Sequence, residues 1–150
     1  MNNVEHINKN EYLLLAFQRE FAWKSEQIGK LFDSLMCGYT TSSMLFWKVQ
    51  GLTKAKWKFY EFINKFVLDA KDYTITNKFH NTSNSNDYFA ILDGQHRLTA
   101  LRIGISGTYS YHESRKSWEY SANSFPSRTL YLNISRTGLI DYDCKYLFKF

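Results

Sequence analysis

The sequence predicts a mixed α+β fold, and three features carry that expectation. Residues 25–37 place apolar side chains on a helical stripe, residues 88–105 read as strand, turn and helix, and several further stretches have the apolar density or alternation of strands. One chain of 150 residues suffices for one such domain and buries roughly two-thirds of its unfolded surface.

Taken in order, the first element is a helix from about Ser25 to Cys37. Ser25 is placed to cap it, Glu26 suits the positive end of the helix dipole, and Gly38 sits where a left-handed stop belongs. Between them Ile28, Leu31, Phe32, Leu35 and Met36 recur at helical spacing. Ser43 to Val49 has the density and length of a buried strand. Trp57 to Val67 is double-valued: Phe59, Phe62, Ile63 and Phe66 have helical spacing while the aromatic density favours a strand, and the spacing predicts a helix. Asn77 to Asn86, rich in Asn and Ser, reads as an exposed loop inside the domain. Tyr88 to Leu92 is a short strand broken by Asp93-Gly94, and Leu98, Leu101, Arg102 and Ile105 mark a helix of about eleven residues stopped near Gly104 or Gly107. Thr129 to Ile134 alternates as a half-buried strand, and Tyr142 to Phe150 reads as another that runs to the last residue. That ending predicts a single domain over 1–150, truncated on its C-terminal side.

Composition narrows the function classes. With 44% hydrophobic and 18% aromatic residues, one proline and seven glycines, the chain is neither disordered nor collagen-like. Its longest apolar run, Leu13 to Phe17, is far shorter than the roughly 20 residues of a membrane-spanning helix, and no secretory signal opens it. Cys37 and Cys144 are isolated thiols without metal-ligand spacing, as in a reducing cytoplasm. His6, His80 and His112 are scattered, so no metal centre is expected. Neither a P-loop, a GxGxxG turn nor a serine elbow is present. The net charge of +5 is mild, but its distribution is uneven. Lys48, Lys54, Lys56 and Lys58 fall in one stretch without acids, and Arg97, Arg102, Arg115, Lys116, Arg128 and Arg136 stand against only Glu113 and Glu119. Such stretches track phosphates or form solvated faces.

Two polar clusters carry the chemistry. In Ala90 to Leu101 a glycine turn feeds a helix whose first N–H groups and dipole make an anion site. Gln95, His96 and Arg97 add amide, imidazole and guanidinium donors there, and Arg97 has the fork to grip two phosphate oxygens. Asp93 is placed to hold Mg²⁺ through water or to orient an attacking water. The alternative makes Asp93 a helix cap and leaves Gln95, His96 and Arg97 to solvent. The second cluster, Phe17-Gln18-Arg19-Glu20-Phe21-Ala22-Trp23, sets Gln18 and Arg19 among aromatic residues, which are read as core anchors before base-stacking platforms. If Arg19 and Arg97 converge, an anion between them is the natural explanation.

On these two clusters the sequence resembles the N-terminal domain of Gmr-type (GmrS/GmrD) restriction endonucleases, a bacterial family with an Asp-Gly-Gln-Gln-Arg signature. Phe17, Gln18, Arg19, Phe21 and Trp23 match its first motif, and Asp93, Gly94, Gln95, Arg97, Leu98 and Thr99 its second, with similarity running from about Tyr12 to Asn133. The resemblance implies a ParB/sulfiredoxin-like fold and a domain that binds, or hydrolyses, a nucleoside triphosphate, for which Asp93 offers a place for an accompanying Mg²⁺. It implies coupling of that nucleotide to restriction of phage or modified DNA, with cutting left to a separate C-terminal nuclease domain of the HNH kind. Carried over, Asp93 and Arg97 are the catalytic candidates, and Gln18, Arg19, Gly94, Gln95, His96 and Arg97 the nucleotide site. There are departures: His96 replaces the second Gln of the signature, Ala16 and Glu20 stand where a proline-bearing lead-in is expected, and Ser42-Ser43 stands for a Gly-Ser or Gly-Thr pair. They bear more on hydrolysis than on binding. A second reading is a non-catalytic DNA-binding module using Lys54, Lys56, Lys58, Arg115, Lys116 and Arg128; a third is an inactive fragment.

Overall fold

The computed structural model describes residues 3–69, 77–82, 87–135 and 145–150. Its elements run α1 (Asn3–Asn8), β1 (Tyr12–Leu15), α2 (Ser25–Met36), β2 (Leu45–Val49), α3 (Thr53–Lys56), β3 (Phe59–Tyr60), β4 (Lys65–Val67), β5 (Phe79–His80), β6 (Tyr88–Asp93), α4 (Gln95–Ser106), β7 (Thr108–Ser110), β8 (Tyr131–Leu132) and β9 (Phe148–Lys149). The fold is α+β, as expected. Its main sheet has the order β2-β6-β1-β3-β5, with β1 and β6 parallel at the centre and the outer pairs antiparallel. Two smaller pairs flank it, β4 with β7 in parallel and β8 with β9 antiparallel.

The central strands are apolar on both faces because both faces are covered. Leu13 and Leu15 of β1 join Val49, Phe59, Tyr88 and Ala90 on one side, while Leu14 turns to Ile7, Phe62, Ile91 and Leu98 on the other. Beside them a third cluster, including Ile28, Leu31, Ile63, Phe66, Ile103 and Tyr109, joins α2, α4, β4 and β7. Gly104 is the reason α2 and α4 approach so closely, since a Cβ there would lie 2.4 Å from the Phe32 ring. Of the two glycines expected to stop α4, Gly107 ends it and Gly104 lies inside.

Several expectations need correction. Ser25 is not the cap of α2 but its first residue; extended Lys24 is the cap, and the Gln27 side chain accepts the Lys24 N–H at 2.9 Å. The far end is a Schellman stop, with Gly38 at φ +77° and the Tyr39 N–H bonded to the Ser34 carbonyl. Trp57 to Val67 is not a helix. Its apolar residues serve different cores: Phe59 pairs with β1, Phe62 packs under β6, and Ile63 and Phe66 join the α2–α4 cluster. The helical spacing was incidental and the aromatic density was the true signal. The strand expected at 43–49 forms over 45–49 but is an edge strand, half-buried rather than buried. The loop at 77–86 contains β5, which closes the opposite edge, while 83–86 lie outside the described residues. Among the described residues, Tyr131–Leu132 and Phe148–Lys149 of the last two expected strands pair, while 142–144 of the second, with Cys144, and Arg136 lie outside the described residues. Among the described residues no helix is long and apolar enough to cross a membrane.

Candidate functional site

The site is built where β1 and β6 end side by side. β6 delivers Asp93 as its last residue, Gly94 turns the chain, and α4 begins at Gln95. Gly94 is required twice over: its φ is +90°, and a Cβ would lie 2.8 Å from Met44 Cγ. The turn directs the first N–H groups of a 12-residue helix outward, and no acceptor among the described residues meets those of Gln95, His96 or Arg97.

The second cluster arrives from β1. After Leu15 the chain reverses, with the Gln18 N–H bonded to the Leu15 carbonyl at 3.1 Å. Gln18 Nε2 then donates to the carbonyls of Ile91 (2.5 Å) and Leu92 (3.3 Å), while Gln95 Nε2 donates to the Arg19 carbonyl at 3.2 Å. The two motifs, more than 70 residues apart in the chain, are therefore stitched together by their own glutamines. Phe17, Gln18, Arg19, Trp23 and Leu92 with Asp93 to Arg97 line one open pocket of about 500 Å³. Every nucleotide-site residue expected from the sequence meets there.

Their roles differ from the simplest expectation. Arg97 is occupied: its Nη1 donates to the Thr41 carbonyl, and its Nη2 to the Ser43 carbonyl (2.8 Å) and Asp93 Oδ2 (3.1 Å). Its side chain is only 17% exposed, and it holds the 41–43 segment against the turn. Arg19 is exposed and its guanidinium makes no hydrogen bond among the described residues. Two further polar atoms are buried without partners, Gln18 Oε1 and His96 Nδ1. Burial, and then the charge of Arg19, push His96 below its usual pKa, so it is neutral at pH 7. Asp93 is the one carboxylate lining the pocket, and no cluster of three metal-ligating side chains occurs among the described residues.

Sequence reasoning missed the 41–43 segment because it contributes backbone carbonyls, which leave no side-chain signal. One trace existed: the resemblance leads one to expect a glycine where Ser42 stands, and Ser42 has φ +68°. Phe17 was expected in the core with Phe21 and Trp23. Phe21 is buried and Trp23 partly buried, but Phe17 is exposed.

The residues proposed for nucleic acid divide. Lys54 is paired with Asp87 at 3.2 Å and lies over the Tyr88 ring. Arg128 lies 3.8 Å from the Tyr111 ring and is bonded to Glu113. Both are structural in part. Lys56, Lys58, Arg115 and Lys116 are exposed.

Residues 3–147 match the family model described as GmrSD restriction endonuclease, N-terminal domain. No curated protein matches the chain.

Proposed function

The chain belongs to the GmrSD restriction endonuclease N-terminal-domain family, and from that membership we propose that it is the nucleoside-triphosphate-binding regulatory domain of a restriction system. The observation that carries the reading is a concentration of unused donors. Arg19 and the helix residues Gln95, His96 and Arg97, whose N–H groups have no acceptor among the described residues, line one pocket beside the neutral His96 imidazole, where a polyanion would suit these donors. A volume near 500 Å³ suits a nucleotide-sized ligand. In this reading Arg97 frames the site, Arg19 is the mobile phosphate clamp, and Asp93 faces the metal that accompanies the phosphates. Hydrolysis, where it occurs, draws on Asp93 to orient water. Cleavage of phage or modified DNA falls to a nuclease domain of the HNH kind in the parent protein, working in the cytoplasm where that DNA is met.

The test is calorimetric titration with ATP, GTP, CTP and UTP, with and without Mg²⁺, on the parent and on Arg19→Met. Losing a charge-assisted contact weakens binding by about tenfold or more without changing the fold. Arg97→Ala is the poorer probe, because it also releases the 41–43 carbonyls. A parent chain that is folded and binds none of the four overturns the reading. Equal affinity of parent and Arg19→Met moves the site elsewhere.

A further inference from the structure

One residue lining the pocket, Phe17, belongs to an exposed aromatic pair that packing does not explain. Phe17 is 70% and Trp57 48% exposed, yet their ring centroids lie 6.3 Å apart in an edge-to-face arrangement. The pair is a cross-strand contact just beyond the ladder of β1 and β3. Leu14 is opposite Tyr60 and Leu15 opposite Phe59, the Ala16 N–H bonds the Lys58 carbonyl at 3.1 Å, and the next step sets Phe17 facing Trp57. Phe17 stands in the turn that follows β1 and Trp57 at the end of α3 just before β3, and the Ala16–Lys58 and Gln18–Leu15 backbone bonds fix the segments that carry them. Phe17 lines the same pocket as Arg19 and the first turn of α4, and Trp57 is flanked by exposed Lys56 and Lys58.

We propose that the Phe17–Trp57 pair is the stacking platform for the nucleobase of the ligand whose phosphates occupy the Arg19–α4 site. The proposal rests on the nucleotide reading above and adds how the base is held. The chemistry selects this occupant: a flat π-system covalently attached to a polyanion matches exposed ring faces and lysines set beside an anion pocket. A peptide or lipid would match the rings without using the unpaired N–H groups. Stacking accepts every base, because every base has a π-face, and it favours the larger purines. The domain therefore prefers purine nucleotides by degree and reads no base-edge pattern at this platform.

Three ligands separate the base from the phosphates: ATP, CTP and inorganic tripolyphosphate, titrated into the parent, Phe17→Ala and Trp57→Ala. The expected result is that ATP binds the parent more tightly than either tripolyphosphate or CTP. Trp57→Ala then weakens ATP by about tenfold, leaves tripolyphosphate unchanged and removes the preference over CTP. Phe17→Ala acts in the same direction. Both side chains are exposed, so the variants fold, which circular dichroism checks. If ATP and tripolyphosphate bind the parent equally, the nucleotide reading stands and the platform falls. If neither binds, both fall. If both ligands weaken equally in Trp57→Ala, the residue supports the pocket and stacks no base. A short single-stranded oligonucleotide is the remaining arm: binding that depends on Trp57 while ATP binding does not assigns the rings to a DNA strand and overturns the proposal.

Discussion

Arg97 and Arg128 have the same side-chain exposure, 17%, and the same kind of company, two or more backbone carbonyls and one carboxylate. Their surroundings differ. Around Arg128 the polar groups are used up: Glu113 takes one arm, the carbonyls of Tyr111 and Pro126 take the other, and the Tyr111 ring lies against its face. Around Arg97 the guanidinium is equally satisfied, but its neighbours are not. His96 Nδ1, Gln18 Oε1, three helix N–H groups and the whole Arg19 side chain lack partners among the described residues. Buried polar groups normally find partners, because leaving one unmade costs about 1–3 kcal/mol. Two such atoms, Gln18 Oε1 and His96 Nδ1, lie buried at this one site, and beside them the exposed Arg19 guanidinium and the first-turn N–H groups have no protein partner among the described residues and are free to meet a ligand. An arginine's presence did not distinguish the two places; the polarity left over around it does.

Removing the closed cluster's arginine is the strongest way to break this comparison. Arg128→Met strips two carbonyls, Glu113 and the Tyr111 ring of their partner, and it disturbs the loop that Arg128 and Tyr109 anchor through mutual backbone bonds of 2.9 and 3.0 Å. The expected loss is about 2 kcal/mol in urea unfolding, with nucleotide affinity unchanged. Arg19→Met should do the opposite, costing affinity while leaving stability within about 0.5 kcal/mol. If Arg128→Met lowers affinity as much as Arg19→Met does, the two regions are coupled and the contrast is wrong.

A smaller effect concerns Ser42, whose φ of +68° places a non-glycine residue in the left-handed region. Ser42→Gly relieves roughly 1 kcal/mol of backbone strain and raises the melting temperature by about 3 °C at this chain length. Ser42→Ala, which keeps a Cβ in the same conformation, should bring no gain. Equal effects from both would show that the positive φ of Ser42 is not the source of the change.

The sequence made some of this legible and hid the rest for reasons that are physical. The helix at 25–36 and the strand–turn–helix at 88–106 were readable because local patterns determine them: an amphipathic stripe, a glycine at φ +90°, an apolar strand. The first motif was readable as chemistry, and its meeting with the second was not, because the glutamine bonds that join them span more than 70 residues. Trp57 to Val67 misled because Phe59, Phe62 and Phe66 follow tertiary partners on three different faces, and no local period encodes that. Phe17 misled in the same way. Its hydrophobicity predicted burial, yet the reversal after Leu15 carries it past the end of the sheet. The ligand preference of Arg97 was overstated because carbonyl partners are invisible in a sequence.

The smallest effect tests the comparison at its most sensitive atom. His96 is held below its ordinary pKa by burial first and by Arg19 second, its ring beside Phe21 at 5.8 Å and its Nδ1 unpaired. The unfolded chain protonates this histidine near 6.5 and the folded chain only at lower pH. Between the two values the unfolded state binds more protons. Stability therefore has its full value above about pH 6.5 and falls as the pH is lowered through that window. A bound triphosphate reverses the local electrostatics: it favours the imidazolium, raises the pKa again and takes up a proton on binding, so affinity should rise as pH falls from 8 to 6. The nucleotide's own phosphate titrates in the same range, which is why the measurement is a difference. His96→Gln restores the signature residue, keeps a hydrogen-bonding group and cannot be charged. The ratio of parent to variant affinity should grow by a few-fold between pH 8 and pH 6, and the acid loss of stability should shrink in the variant. A ratio that stays flat would mean that His96 does not face the phosphates, and the orphaned Nδ1 would then be a flaw of packing with no part in binding.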